Sequence, residues 1–368
     1  MKTNYDIKLG VSLYSYQDNY YFHRHDLEGC IAAAAGAGAE GIEIFSDSMI
    51  EEWPYISDAF VDRWFGMMDR YGVEPVCLDH FADRAMWKNK QLSDDELFER
   101  SVMYIKAAKR LGCSAIRVMH EEHIREKSIA ARLVDYDMMV KLLPVAAEHG
   151  IMLALECHAP TSVDAPYQQK YIELAEKTGI PYVGLQVDFS SYDYCMSSAD
   201  IVGHVYNGAT REILEYVREE QRQAYRAGKN LDEEAVAANV RKMKPTELDL
   251  MILSKVLPVA EPTEVRSIGG IMLPHKVDYE NFDKKYQTLK EYASKVVYVH
   301  GKFYDIDGDG QVDNMDYPKI FDALVQGGYK GYISSEFEGN RRMNMVGWVD
   351  EIELVRKHHV LMRKCLGR

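Results

Sequence analysis

The chain has few cysteines and lacks the spacings that would give them a shared chemical role. Six cysteines occur in 368 residues, and no two form a Cys-x-x-Cys pair. Without such pairs, neither a disulfide framework nor a structural zinc site is indicated. Most of the cysteines lie in or beside apolar runs, so we expect reduced thiols in a packed core, as in a cytoplasmic enzyme.

Two further absences exclude classes of partner. No block rich in lysine and arginine occurs, and the net charge is −14, so nucleic acid is not an expected partner. No apolar run approaches the roughly 18 residues of a membrane helix, and the first ten residues, MKTNYDIKLG, contain no apolar signal segment. We therefore expect a cytoplasmic protein that neither crosses nor binds a membrane.

Eight short apolar runs are present, and segments with helical periodicity separate them. The runs are LGVSLYSY (9–16), GIEIF (41–45), PVCLDHF (75–81), AIRVMHE (115–121), MLALECHA (152–159), VGLQVDF (183–189), VVYVHGKF (296–303) and GYISSEFE (331–338). One intervening helix is marked by a capping box at Ser93 and Glu96 and by a stop at Gly112. Eight strands alternating with helices predict an α/β fold, a (β/α)8 TIM barrel. A doubly wound open sheet is the alternative, although no strand is followed by a GxGxxG or P-loop turn.

One connection is much longer than the others. About a hundred residues separate the sixth run from the seventh, several times the usual length. We predict a single domain over 1–368 with a helical insertion at 195–285, between strands 6 and 7, that forms a lid or a subunit contact. A solvated excursion without a role remains open, and a separate domain is disfavoured because the apolar content is thin.

Four of the runs end in a side chain that can bind a metal. Glu156, Asp188, His300 and Glu336 close the fifth to eighth runs. In a TIM barrel the carboxyl ends of the strands meet at one mouth, where catalytic groups lie. An aspartate in such a place is often only a helix cap, but four equivalent positions favour a shared role. Three carboxylates and one imidazole suit a divalent metal such as Mn²⁺, Mg²⁺ or Co²⁺.

Other polar side chains lie at the same predicted mouth. His158 and Lys302 each follow a predicted ligand by two residues, which places them on the same side of an extended chain. Tyr14, His80 and His120 end the first, third and fourth runs and are candidate substrate-binding residues. A lone histidine at such a position is more often a core or capped residue, and that reading stays open for His80 and His120.

A different metal signal lies at DIDGDGQVDNMD, residues 305–316. Its aspartates and Gln311 follow the ligand positions of a calcium loop, with Gly310 at the sharp turn. Position 12 is Asp316 rather than a bidentate glutamate, and the flanks are not two helices. Calcium at 305–316 is therefore one alternative, and an Asp/Gly-rich loop after strand seven is the other.

The strand ends resemble those of a known superfamily. GVSLYSY, GIEIF, LALECH, VGLQVD, VYVHGKF and ISSEFEG are similar to segments of the xylose-isomerase-like sugar isomerase/epimerase barrels. The resemblance implies one divalent metal held by Glu156, Asp188, His300 and Glu336. Two positions depart from the simple epimerases: Ser191 replaces a common histidine, and the seventh run lacks their His-x-Lys-Asp pattern.

Within that superfamily, the chain looks more like the α subunit of bacterial C-glycoside deglycosidases. ECH in the fifth run, HGKFYDID and the long insertion carry this similarity. It implies a heteromer with a small β subunit and a 3-oxo-glycoside as substrate. The implied chemistry is removal of the α-proton by His158, with Lys302 near the developing oxyanion, and elimination of the aglycone.

Three other functions stay open. An isomerase or epimerase of a keto-sugar or cyclitol would use Glu156 and Glu336 to exchange protons on opposite faces of the substrate. An endonuclease of the same barrel class would want more histidine ligands and a basic face. A sugar-binding or scaffold barrel without chemistry is disfavoured because every type of metal ligand is present.

Overall fold

The computed structural model describes residues 6–82, 84, 89–119, 129–159, 161–265, 267–268, 271–343 and 346–368. Within them, eight parallel strands close into a barrel with the order β1-β10-β9-β6-β5-β4-β3-β2. The barrel strands are β1 Ile7–Ser12, β2 Gly41–Ile44, β3 Glu74–Phe81, β4 Ala115–Met119, β5 Met152–Cys157, β6 Val183–Asp188, β9 Val296–Phe303 and β10 Gly331–Phe337. The predicted (β/α)8 TIM barrel is confirmed.

Helices cover the outside of the barrel and its carboxyl end. They are α1 Gln17–Tyr21, α2 Leu27–Ala37, α3 Ser46–Met49, α4 Asp58–Tyr71, α5 Asp94–Arg110, α6 Ile129–His149, α7 Pro166–Thr178, α8 Ser198–Tyr206, α9 Arg211–Ala227, α10 Glu233–Lys242, α11 Glu247–Leu253, α12 Phe282–Tyr292, α13 Tyr317–Gln326, α14 Asn340–Met343 and α15 Glu351–Cys365. None of the described helices has both the length and the apolar character needed to cross a membrane.

Local sequence signals set several of these boundaries. The capping box predicted at Ser93 and Glu96 is present at the start of α5. Gly179 ends α7 with φ of 68°, a left-handed conformation that glycine adopts without steric cost. All six residues of β6 are buried, as expected of a strand covered on both faces of a parallel sheet. All six cysteines are free and buried, as predicted.

The segment between β6 and β9 has an apolar cluster of its own. It contains α8 to α12 and a two-stranded hairpin of β7 Ser267–Ile268 and β8 Ile271–Met272. Its buried apolar residues are Met196, Ile201, Ala209, Ile213, Leu214, Val217, Val236, Ala237, Val240, Ile252, Leu253, Val256, Leu257 and Leu273. The insertion thus buries more apolar side chains than its largely polar sequence indicates, because many of them recur at helical spacing.

Strand register relates the predicted ligands across neighbouring strands of the barrel. Asp188 on β6 lies directly beside His300 on β9. Glu336 on β10 lies beside Lys302, two residues further along β9. On the far side of β6, Glu156 of β5 pairs with Gln186. Four consecutive barrel strands therefore present these side chains at the same end of the barrel.

Candidate metal centre

The structure brings together the four side chains that the strand ends single out. Each of Glu156, Asp188, His300 and Glu336 offers one ligand atom, and these atoms all lie within 4.8 Å of one another. The four residues are buried at the barrel's carboxyl end. The spacing is compact enough for one cation to contact all four groups.

The orientation of His300 is fixed by a carboxylate on its far side. Its Nε2 lies 2.8 and 2.9 Å from the two carboxylate oxygens of Glu43. Its Nδ1 faces the cluster, 2.9 Å from Glu336 Oε2 and 3.2 Å from Glu156 Oε1. A hydrogen bond donated by Nε2 to Glu43 leaves the lone pair on Nδ1, as in carboxylate–histidine–metal arrangements.

Charge at this centre also favours a cation. The described groups that meet here include the carboxylates of Glu43, Asp79, Glu156, Asp188, Glu336 and Glu338 and the cations of Arg117, Lys302 and Arg342. Buried carboxylates thus outnumber permanent cations. Asp188 Oδ2 and Glu336 Oε2 are buried, and Lys302 Nζ lies 3.4 and 2.8 Å from these two oxygens. The donor set therefore fits a hard divalent metal.

An arginine below the centre was missed by the sequence analysis. Arg117 on β4 is buried, with Nε 2.8 Å from Asp79 Oδ1 and Nη1 2.9 Å from Glu156 Oε2. Burial raises the pKa of Glu156, but the charges of Arg117 and His300 outweigh it and hold the pKa well below its ordinary value. Glu156 is therefore firmly ionised. The available signal was an arginine inside an otherwise apolar β4.

A lysine and a second layer of polar groups lie toward solvent from the centre. Lys302 donates a hydrogen bond to Glu338 Oε2 at 3.3 Å, and the Tyr14 hydroxyl donates one to Glu338 Oε1 at 3.0 Å. Burial lowers the pKa of Lys302, but Asp188, Glu336 and Glu338 together raise it well above its ordinary value. Lys302 is therefore a fixed ammonium beside the four clustered side chains. Tyr14 lies at the mouth, as predicted, although its contact with substrate remains a prediction.

His158 stands at the edge of the centre with an accessible ring. Its side chain is 30% exposed, and its Nε2 lies 3.9 Å from Asp188 Oδ2. Its Nδ1 lies 3.1 Å from the carbonyl oxygen of Ala159, so Nε2 is the nitrogen that faces the metal ligands. Ser191, where simple epimerases have a histidine, donates its hydroxyl hydrogen to the Cys157 carbonyl at 3.0 Å.

The structure places the other two predicted substrate residues differently. His80 is fully buried, its Nε2 lies 2.8 Å from Ser101 Oγ on α5, and its ring packs on Tyr104. Because side chains alternate along a strand, the inward position on β3 belongs to Asp79, and His80 faces the helical layer. These contacts favour a core role for His80 over substrate binding. His120 lies outside the described residues.

The Asp-rich segment 305–316 holds the inserted helices against the barrel. Asp305 and Asp313 accept hydrogen bonds from Ser198 at the start of α8, and Asp313 also accepts one from Arg218 on α9. Asp316 accepts one from the Tyr225 hydroxyl on α9. Within the described residues, no three side chains of this segment converge as the metal ligands do. The geometry therefore accounts for these aspartates without calcium.

Comparison with known proteins finds similar sequences and folds. The model of the xylose isomerase-like TIM barrel family matches residues 31–213. The 3'-dehydrocarminate deglycosidase alpha subunit of a Microbacterium species is 28% identical over 361 residues, covering 98% of this chain and 95% of that protein. A C-glycoside deglycosidase alpha subunit of Microbacterium trichothecenolyticum is 29% identical over 339 residues, covering 90% and 83%.

A solved structure shows the same fold at low identity. The sugar phosphate isomerase/epimerase of Parabacteroides distasonis superposes with a TM-score of 0.52 and 14% identity, covering 99% of this chain and 96% of that one. The predicted resemblance to xylose isomerase-like TIM barrels and to C-glycoside deglycosidase α subunits is confirmed. The match to the α subunits runs through the inserted helices as well as the barrel.

Proposed function

We propose that this xylose isomerase-like TIM barrel is the catalytic α subunit of a heteromeric, metal-dependent lyase that cleaves the C–C bond of oxidised C-glycosides. The observation that carries the proposal is the similarity to C-glycoside deglycosidase alpha subunits over 98% of the chain, inserted helices included. Likeness to the isomerases and epimerases, at 14% identity or so, extends only to the fold.

The metal would be held by Glu156, Asp188, His300 and Glu336, whose donor atoms suit Mn²⁺, Mg²⁺ or Co²⁺. When bound, such an ion supplies a Lewis acid for the ketone and the neighbouring hydroxyl of the sugar. Glu43 and Arg117 then keep His300 and Glu156 in their ligand orientations.

His158 is the proposed base. In a 3-oxo-C-glycoside the proton on C2 is α to the carbonyl, and the aglycone carbon on C1 is β to it. His158 Nε2 removes the C2 proton, and the electron pair moves into the enolate, whose oxygen charge the Lys302 ammonium stabilises. The enolate then re-forms the carbonyl and a C1–C2 double bond as the bond from C1 to the aglycone breaks.

The same histidine can complete the reaction. The leaving aglycone carbon takes the electron pair of the broken bond and needs one proton. The imidazolium of His158 returns the proton that it removed, so atoms and charge balance without an oxidant or a reductant. The 30% exposure of His158 allows it to reach a substrate in the mouth. The oxidised substrate itself must come from a separate sugar oxidoreductase.

A keto-sugar isomerase or epimerase is the second candidate. Glu156 and Glu336 approach His300 Nδ1 at 3.2 and 2.9 Å, so they flank the proposed metal position as two proton-exchanging groups would. Their charges argue against that role. Burial raises the pKa of Glu336, but the charges of His300 and Lys302 bring that pKa well below its ordinary value. The pKa of Glu156 is lowered as well. Such carboxylates are weak bases.

Product analysis separates the two candidates. The purified chain, with and without a small partner subunit, is incubated with Mn²⁺ and either a 3-oxo-C-glucoside or a ketohexose. We expect free aglycone from the first substrate and the highest rate with the partner present. If the ketohexose is epimerised and no aglycone is released under any partner condition, the chain is an epimerase and the lyase proposal is wrong.

A further inference from the structure

A buried carboxylate outside the metal centre joins two loops of the mouth. Glu351, at the start of α15, is fully buried. It accepts hydrogen bonds from the backbone N–H groups of Asp18 and Asn19 at 3.2 and 3.1 Å. It also accepts bonds from the side-chain amides of Asn19 at 2.8 Å and Asn340 at 2.5 Å. Four donors from two loops thus converge on one carboxylate.

The carboxylate is not needed to cap its own helix. Asp350 is the N-cap of α15, and its side chain accepts the backbone N–H of Glu353 at 3.0 Å. All four of the hydrogen bonds that Glu351 accepts come from outside α15. Its role therefore concerns the segments that it connects, which are residues 13–21 after β1 (the β1 loop) and 338–343 after β10 (the β10 loop).

These two loops carry the polar layer beside Lys302. Tyr14 on the β1 loop donates its hydroxyl hydrogen to Glu338 on the β10 loop, and Glu338 accepts a hydrogen bond from Lys302. A second link joins the loops, because Arg341 donates to Gln17 Oε1 at 2.7 Å and Gln17 donates to the Tyr14 carbonyl at 2.9 Å. Displacing either loop would move Glu338 relative to the ammonium of Lys302.

The inner side of the β10 loop is fixed by close packing. A side chain at Gly339 would collide with the carbonyl oxygen of Tyr304, so this loop lies directly against the end of β9. Glu351 holds the same loop one residue further along the chain, through Asn340. Two contacts at adjacent residues thus fix the loop.

We propose that Glu351 is a positioning residue, which fixes the β1 and β10 loops so that the Tyr14–Glu338 pair keeps the Lys302 ammonium oriented for the reaction. The proposal rests on the function proposed above, in which Lys302 stabilises the enolate. A neutral glutamine at position 351 would turn an amide toward donors that need an acceptor, so the loops would separate while the metal ligands stay in place.

The test compares Glu351→Gln with Glu353→Gln, an exposed neighbour on the same helix that pairs with Arg356. We expect Glu351→Gln to lower kcat for aglycone release about 10- to 100-fold, as small misplacements of catalytic groups do. Mn²⁺ affinity in calorimetry should match that of the wild type, and Glu353→Gln should change neither quantity. Asn340→Ala, which removes one of the four bonds, should give a smaller loss and serves if Glu351→Gln does not fold.

A double-mutant cycle separates positioning from general stabilisation. In a Tyr14→Phe background the Tyr14–Glu338 bond is already absent, so Glu351→Gln should cost less than threefold there, roughly the limit of additivity error. An equal cost in both backgrounds, or wild-type kcat in Glu351→Gln, would overturn the proposal. Amide hydrogen exchange in residues 13–21 and 338–343 needs no turnover. If the wild type releases no aglycone, the proposed lyase function is wrong. Unchanged amide exchange in Glu351→Gln would then show independently that Glu351 does not fix the two loops.

Discussion

At the scale of single residues, the two ring nitrogens of His300 contact different carboxylates. Nδ1 faces Glu156 and Glu336, and Nε2 donates to Glu43. A metal at the centre would thus be bound by a histidine whose tautomer and rotation are set by a carboxylate that never touches the ion. Glu43 is the residue through which this can be tested.

We expect Glu43→Gln to weaken Mn²⁺ binding about 10- to 100-fold, the usual cost of losing a histidine's carboxylate partner. The amide is a weaker acceptor and can turn a donor toward Nε2, which would free His300 to rotate. Calorimetric titration of Mn²⁺ measures the change. Glu51→Gln alters an exposed glutamate and should bind Mn²⁺ as the wild type does. Equal affinity in Glu43→Gln would show that the orientation of His300 does not depend on Glu43.

His158 should behave in the opposite way. His158→Ala is expected to lower kcat by about 10² to 10⁴, the contribution of a general base, and to leave Mn²⁺ affinity within about twofold, because His158 is 3.9 Å from the nearest ligand oxygen. Steady-state aglycone release and metal titration on the same preparation measure both. Full activity in His158→Ala would make another group the base.

Position along a strand explains which residues could be predicted. His158 and Lys302 follow metal ligands by two residues, so the alternation of an extended chain puts them in the mouth. The same alternation argues against His80 as a mouth residue. Asp79 takes the inward position on β3, and the His80 ring faces Ser101 on α5. Arg117 is inward but lies in the middle of β4 rather than at its end. Its role follows from Glu156 on β5, a contact that the sequence does not encode locally.

At the scale of secondary-structure elements, local chemistry predicted boundaries better than it predicted packing. The capping box at Ser93 appears as expected, and the alternation of strands and helices gives the barrel. A separate domain was disfavoured because the apolar content of the insertion is thin, yet Ile213, Leu214 and Val217 belong to a buried cluster. On an amphipathic helix the apolar residues form a stripe that a search for continuous runs passes over.

The Asp-rich segment gives a prediction about this packing. Asp313→Asn should lower the free energy of unfolding by about 1 to 3 kcal/mol, because Arg218 and the Ser198 amide lose a charged acceptor. Asp309→Asn, at an exposed position in the same segment, should have little effect. Denaturant unfolding, with and without Ca²⁺, measures both. If millimolar Ca²⁺ raises the stability of the wild type and Asp309→Asn removes that rise, residues 305–316 bind calcium after all.

Helix α15 contains a buried histidine, His359, that should make the stability of the protein depend on pH. Burial, and then the charge of Arg363, lowers the pKa of His359 to about 3, while its Nε2 donates to the Gly10 carbonyl at 3.1 Å. The folded pKa is below the unfolded value of about 6.5, so this stability is complete above pH 6.5 and decreases as the pH falls. At pH 5 the loss should be about 2 kcal/mol.

Unfolding by urea at pH 7 and pH 5 checks this expectation. His359→Gln should lose less stability between the two pH values than the wild type, by about 2 kcal/mol. His23→Asn changes an exposed histidine with positive φ and should follow the wild type. Identical pH dependence in the wild type and His359→Gln would mean that His359 does not resist protonation in the folded protein.

At the scale of the whole molecule, barrel closure makes the site. β1 pairs with β10, which joins residues more than three hundred positions apart, and the same closure puts Tyr14 within hydrogen-bond distance of Glu338. No local pattern in either segment specifies that contact, so the sequence predicted the ligand set but not the layer around Lys302. Glu351, which fixes this layer from α15, could not be recognised before the fold was known.

The proposed function requires both a divalent metal and His158 for the elimination of an aglycone from an oxidised C-glycoside. Aglycone release from a 3-oxo-C-glucoside by the chain with its small partner subunit is measured before chelation, after chelation and after Mn²⁺ is restored. We expect release, loss and recovery in that order. Release that survives complete removal of metal, or no release at any stage, would contradict the proposed function.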